Sequence, residues 1–114
     1  MLVSSSLLRI FHHAIIIYMK ELTTETFNDA IKGEKILVDF NADWCGPCQM
    51  QAPILEKLSG DYNIASLNID VAPEVAETYD VASIPCLILF ENGKEIKRKI
   101  GFTPEKAVKK LMEK

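Results

Sequence analysis

Two short apolar runs, Ile36-Leu37-Val38-Asp39-Phe40 and Leu87-Ile88-Leu89-Phe90, constrain this chain more than anything else in it. Runs of this length without polar alternation are the signature of strands buried on both faces. Such strands need helices on either side of their sheet. Segments with helical spacing supply them. Phe27, Ala30 and Ile31 give an apolar face to a helix capped by Thr23 or Thr24 and ended by Gly33. A second helix is predicted to start near Cys45, with Cys48, Ala52, Leu55 and Leu58 facing inward, a kink at Pro53 and an end at Gly60. Pro73 opens a short third helix. Thr103-Pro104-Glu105 reads as cap, first-position proline and first-turn acid of a fourth. Its inner face is Ala107, Val108, Leu111 and Met112, with Lys109, Lys110 and Lys114 complementing the dipole at its end.

Further strands are predicted from the β-prone stretch Ile15 to Leu22 and from Asn63 to Ile69. Asn92-Gly93 is a hairpin turn signal, because both central residues of a type I′ turn take positive φ. Glu95 to Ile100 then pairs back as an edge strand guarded by Lys97, Arg98 and Lys99. The predicted order is β-α-β-α-β-α-β-β-α. Its alternating first half implies parallel strands joined by right-handed crossovers. The terminal hairpin adds an antiparallel edge, so the sheet is α/β, five-stranded and mixed, with helices on both faces.

A chain of 114 residues is enough for one domain. Its net charge of −3 argues against nucleic acid as a partner, which calls for a basic patch. Residues 1–18 differ from the rest: they hold one basic residue, Arg9, and no acid. An early start ahead of Met19, or a disordered extension, is the favoured reading of this stretch. A targeting or anchoring segment is the second and a structured extension the third. The apolar run Ala14-Ile15-Ile16-Ile17 falls well short of the roughly 18 residues that a spanning helix needs, so a membrane span is not expected. The expected domain is therefore residues 19–114.

The chemistry lies in Trp44-Cys45-Gly46-Pro47-Cys48. A Cys-x-x-Cys beside a βαβ pattern reads as a redox pair, and the same spacing also supplies half of a zinc site. In the redox reading, Cys45 meets a helix N-terminus, where free N–H groups and the helix dipole stabilise a thiolate. Cys45 is then the attacking thiol, and Cys48, one turn on, is placed to resolve the mixed disulfide. In the metal reading, Cys45, Cys48 and Cys86 join His12 or His13, at irregular spacing. Asp39 is a carboxyl inside an apolar run. Burial raises its pKa and fits it for proton transfer near neutral pH; the alternative is an acid at a strand end that reaches water.

Asp39-Phe40-Asn41-Ala42-Asp43 leading into the cysteine motif, then Ala52-Pro53, Ile84-Pro85 and Phe90-Glu91-Asn92-Gly93, together resemble the thioredoxin family from about Met19 to Lys114. That resemblance implies the thioredoxin fold, a central five-stranded mixed sheet flanked by four helices. It implies reduction of protein disulfides with Cys45 attacking and Cys48 resolving, and Asp39 exchanging a proton with Cys48. It also implies a substrate groove at Trp44, Gly46, Pro47, Ile84, Pro85 and Gly101, with Pro85 cis against the sulfurs. No cofactor or metal is implied. The implied partners are disulfide-containing proteins and a thioredoxin reductase fed by NADPH or ferredoxin, and the implied protein is a cytoplasmic monomer.

Four residues depart from the family's usual pattern: Ser66 for a lysine near the acid, Asn41 for an aromatic, Gln49 for a basic residue and Cys86 for a threonine. Without the lysine, Asp39 is expected to titrate higher than is usual. Strand alternation turns Cys86 away from the face of Pro85, as a buried inert thiol or a secondary redox group. The other functions that fit are a disulfide oxidant or isomerase outside the cytosol, and a non-catalytic binding subunit on the same fold.

Overall fold

The computed structural model describes residues 19–113. Its elements are β1 Lys20–Leu22, α1 Thr24–Ile31, β2 Ile36–Asn41, α2 Gly46–Leu58, β3 Ile64–Asn68, α3 Pro73–Thr78, β4 Cys86–Glu91, β5 Lys94–Ile100 and α4 Glu105–Met112. They build a five-stranded sheet in the order β1-β3-β2-β4-β5. β1 and β2 both run parallel to β3, whereas β2 with β4 and β4 with β5 are antiparallel. The two apolar runs, Ile36 to Phe40 and Leu87 to Phe90, thus pair with each other, Leu37 opposite Leu89 and Val38 opposite Ile88.

Strand alternation sorts the core into two layers. Val38, Phe40, Ala65, Leu67, Cys86, Ile88 and Phe90 pack with Phe27 and Ile31 of α1 and Val75 of α3. Leu37, Ile64, Leu87 and Leu89 pack with Leu55 and Leu58 of α2 and Val108, Leu111 and Met112 of α4. Phe27 anchors the first layer edge-on against Phe40 and Phe90, at 6.4 and 5.5 Å between ring centroids.

Local signals account for most element ends. Thr23 caps α1 in a reciprocal capping box with Thr26. Asn92 and Gly93 both take positive φ, 55° and 82°, as the hairpin turn requires. Arg98 on β5 pairs with Glu95 and donates to the Tyr79 carbonyl at 2.9 Å, which ties the edge strand to the end of α3.

The structure corrects several expectations. The first strand is Lys20–Leu22; the part of its predicted range before Met19, with His12 and His13, lies outside the described residues, as does Lys114. Thr103 does not cap α4. Thr103 is buried and its hydroxyl donates to the Gly101 carbonyl at 3.1 Å; Pro104 is the cap residue, and its ring has no acceptor with which to make a side-chain cap bond. On α2 Gln51 is fully buried, like Leu55, while Ala52 is half-buried. Gln51 Oε1 accepts from the Thr103 N–H at 2.7 Å and its Nε2 donates to the Thr103 carbonyl at 2.9 Å. A polar residue enters the core here because it satisfies both backbone groups of a buried loop. Pro53 lies within a helix that continues on both sides of it.

Candidate active site

Cys45 is the N-cap residue of α2, with extended backbone angles that end the loop leaving β2. Its Sγ accepts from the Cys48 N–H at 3.2 Å. A sulfur therefore occupies the capping position that serine or aspartate commonly fills, and one of the helix's free donors already points at it. Cys45 and Cys48 form a disulfide, with Cα atoms 5.2 Å apart. Pro47 in the first helical turn costs no hydrogen bond, because N–H groups there have no intrahelical partner. Both cysteines are buried against Ala42, with Ile69 and Ile84 packed over them, whereas Gly46 and Pro47 are exposed.

The second half of the chain closes the site from the other side. The Ile84–Pro85 bond is cis, and the Ile84 carbonyl oxygen lies 3.8 Å from Cys45 Sγ. Gly101, at φ 92°, donates its N–H to the Pro85 carbonyl at 2.7 Å. Glycine is suited to this position because φ in that range is unfavourable for residues with a Cβ. Trp44 is 69% exposed, and its indole N–H donates to Asp70 Oδ2 at 2.9 Å. Ile100 and Phe102, flanking Gly101, are exposed as well. All six positions assigned by resemblance to the substrate groove thus lie in the motif loop or in the two segments linked to it through Ile84, Pro85 and Gly101.

Beneath the disulfide lies a cavity of about 270 Å³ lined by residues including Asp39, Asn41, Asp43, Cys48 and Ser66. Leu37, Asp39 and Asn41 alternate onto the α2 face of β2, and Asp39 pairs in register with Ser66 on β3. Asp39 is 1% exposed, and burial pushes its pKa up to about 7 against a hydrogen bond from Asn41 that pulls it down. Asn41 Nδ2 donates to Asp39 Oδ2 at 3.3 Å, to the Asp39 carbonyl at 2.9 Å and to Ser66 Oγ at 2.8 Å. Asp39 Oδ1 has no hydrogen-bond partner among the described residues.

Asn41 and Ser66, two of the departures from the family's usual pattern, thus stand next to the acid. Period-2 alternation with Asp39 is the signal that could have placed Asn41 beside the acid. Gln49, the third departure, donates to the Asp43 carbonyl at 2.9 Å and so braces the motif loop. Cys86 is the fourth. It sits in the opposite core layer with Ile88 and Phe90, and burial pushes its thiol pKa up. The buried, inert alternative for Cys86 is the one this placement favours. Among the described residues no group of histidines, cysteines and carboxylates is arranged to hold a metal, and no helix is long and apolar enough to cross a membrane.

Comparison with known proteins agrees with this geometry. Residues 18–114 match the family model described as Thioredoxin. The chain is 43% identical over 98 residues to thioredoxin of Staphylococcus saprophyticus, covering 82% of this chain and 94% of that one. It is also 43% identical over 96 residues to thioredoxin of Chlamydia trachomatis, with the same coverage of 82% and 94%. Among solved structures, a mutant thioredoxin from Halobacterium salinarum superposes with a TM-score of 0.80 at 32% identity, covering 86% of this chain and 90% of that one. Oxidised mitochondrial thioredoxin 3 from Saccharomyces cerevisiae gives 0.74 at 33% identity, covering 83% and 93%. The chain belongs to the thioredoxin family, and it is a dithiol–disulfide oxidoreductase that reduces protein disulfides through the Cys45–Cys48 pair.

Proposed function

We propose that Cys45 is the attacking thiol, Cys48 the resolving thiol and Asp39 the proton acceptor. In the reduced protein the Cys45 thiolate attacks one sulfur of a substrate disulfide. The substrate S–S bond breaks, a Cys45–substrate disulfide forms, and one substrate sulfur leaves as thiolate. Cys48 then gives its proton to the Asp39 carboxylate and attacks Cys45 Sγ. The second substrate sulfur leaves, and two electrons have passed from the dithiol to the substrate. The oxidised pair is restored by a dithiol reductase, supplied in turn by NADPH or ferredoxin.

The observation that carries this assignment is the bond from the Cys48 N–H to Cys45 Sγ at the start of α2. It singles out Cys45 as the sulfur stabilised as an anion, because the helix dipole and a directed donor act on that atom together. Cys48 shares a cavity with Asp39, whose pKa of about 7 suits exchange with a thiol near neutral pH. Trp44, Gly46, Pro47, Ile84, Pro85 and Gly101 form the surface on which an extended substrate segment docks. The working unit is residues 19–114, a cytoplasmic monomer acting on disulfide-containing proteins.

The test is trapping. Cys48→Ser should accumulate a covalent complex with a disulfide substrate such as insulin, visible as a band lost on reduction, whereas Cys45→Ser should form none. A trapped complex on Cys45→Ser in place of Cys48→Ser would reverse the order of attack. Equilibration of the wild-type pair with glutathione at a clearly oxidising potential would replace the reductant reading with that of an oxidant.

A further inference from the structure

The cavity beneath the disulfide has acidic walls. Glu21 of β1, Asp43 of the motif loop and Glu56 of α2 line it together with Asp39 and Cys48, and among the described residues no lysine, arginine or histidine does. Ser66, from β3, is uncharged, and the titratable group that β4 brings nearby is the Cys86 thiol. Among the described residues nothing cationic therefore favours the ionised form of Asp39. Among the described residues, the side chain that donates to its carboxyl is Asn41.

The orientation of the Asn41 amide is fixed by its surroundings. Its nitrogen faces the Asp39 carbonyl at 2.9 Å, Ser66 Oγ at 2.8 Å and Asp39 Oδ2 at 3.3 Å. Turning the amide over would set its oxygen against a carbonyl oxygen and a carboxyl oxygen, neither of which can donate when Asp39 is ionised. With Nδ2 inward, Oδ2 accepts in both protonation states of the acid. The proton of the neutral acid then belongs on Oδ1, the oxygen with no partner among the described residues.

We propose that Asn41, anchored by Ser66, is a positioning residue for the redox reaction: its neutral amide does the work of the missing cation, holding Oδ2 as a permanent acceptor and assigning the transferable proton of Asp39 to Oδ1. This rests on the proton role proposed above for Asp39. A neutral donor favours the carboxylate less than a full charge would. Burial consequently dominates, and the acid stays poised near neutrality. Ser66 contributes by fixing the donor, since Asn41 is only half-buried at the end of β2 and would otherwise be free to turn toward water.

Carbon-13 NMR titration of the Asp39 carboxyl in the oxidised full chain tests the assignment. Asn41→Leu should raise the midpoint by about one pH unit, the size expected for losing one hydrogen bond to a charged group. Ser66→Ala should move it the same way by less. The infrared carbonyl stretch of the protonated Asp39, identified by its loss in Asp39→Asn, should shift to higher wavenumber in Asn41→Leu as Oδ2 loses its donor. In the reduced protein the pH profile of mixed-disulfide resolution should follow the carboxyl midpoint. A midpoint and carbonyl band that stay put in Asn41→Leu overturn the assignment and leave the proton role of Asp39 standing. A midpoint that moves while the resolution profile does not overturns the proton role, and with it the part of Asn41 in the reaction.

Discussion

Asp39→Asn should stabilise the fold, and the gain should depend on pH in a defined way. The pKa of Asp39 rises from 3.8 to about 7 on burial. Each pKa unit corresponds to about 1.36 kcal/mol, so keeping this carboxyl inside the protein above pH 7 costs about 4 kcal/mol. The folded state holds the proton more tightly than the unfolded chain, so stability falls as pH rises. The penalty is absent below pH 3.8, grows between 3.8 and about 7, and is constant above. A cost of this size is a large fraction of the roughly 5–15 kcal/mol that typical domains have to spare. Asparagine carries no charge at any pH and keeps an oxygen for the Asn41 donor. Urea unfolding of oxidised wild type and Asp39→Asn, measured in steps from pH 4 to pH 9, gives the difference curve. It should rise by about 4 kcal/mol and level off near pH 7. A constant offset from pH 4 to 9 would mean that Asp39 titrates as an ordinary surface acid, and the argument from burial would fail.

Two further substitutions probe the scaffold around the site. Gln51→Ala removes both partners of the Thr103 backbone and leaves a buried N–H and C=O unpaired, at a cost of about 2–4 kcal/mol; urea melts measure the loss, and faster hydrogen exchange at the Thr103 amide locates it. Gly101→Ala meets no steric neighbour for its new Cβ but must adopt φ near 92°, so thermal melts should show a loss of about 1–2 kcal/mol from the backbone alone. A substrate KM that rises in that variant with kcat preserved would indicate that the strain is relieved by moving the groove rather than the thiols.

The architecture was legible because its signals are local and agree with one another. The apolar runs, the Asn92-Gly93 turn and the prolines opening helices each specify an element without reference to the rest of the chain. The misplacements occur where a tertiary partner overrides a local preference. Thr103 has the right side chain for a cap, but Gln51 claims its backbone and Gly101 its hydroxyl, so the helix starts one residue later. Gln51 itself reads as a surface residue until the loop it satisfies is known. The pairing of Trp44 with Asp70 joins segments 26 residues apart and has no counterpart in local pattern.

The reacting groups were legible for a different reason. A dithiol at this spacing, and an acid inside an apolar run, are each costly to explain by packing alone. What tunes them was not legible, because Asn41 and Ser66 are ordinary residues whose effect depends on register. Asp39 stands opposite Ser66 across β2 and β3, and Asn41 lies two residues along on the same face. A slip of β2 by one residue in that pairing would send Asp39 and Asn41 into the opposite layer, toward Phe90 and Cys86, and part them from Ser66. The apolar neighbours of Asp39 on its own face, Leu37 and Leu87 in the α2 layer, prevent the slip. The core that makes the carboxyl costly to ionise is therefore also what holds its Asn41 donor in place. A substitution that loosened Leu37 or Leu87 would reach the proton chemistry through register before it touched the cysteines.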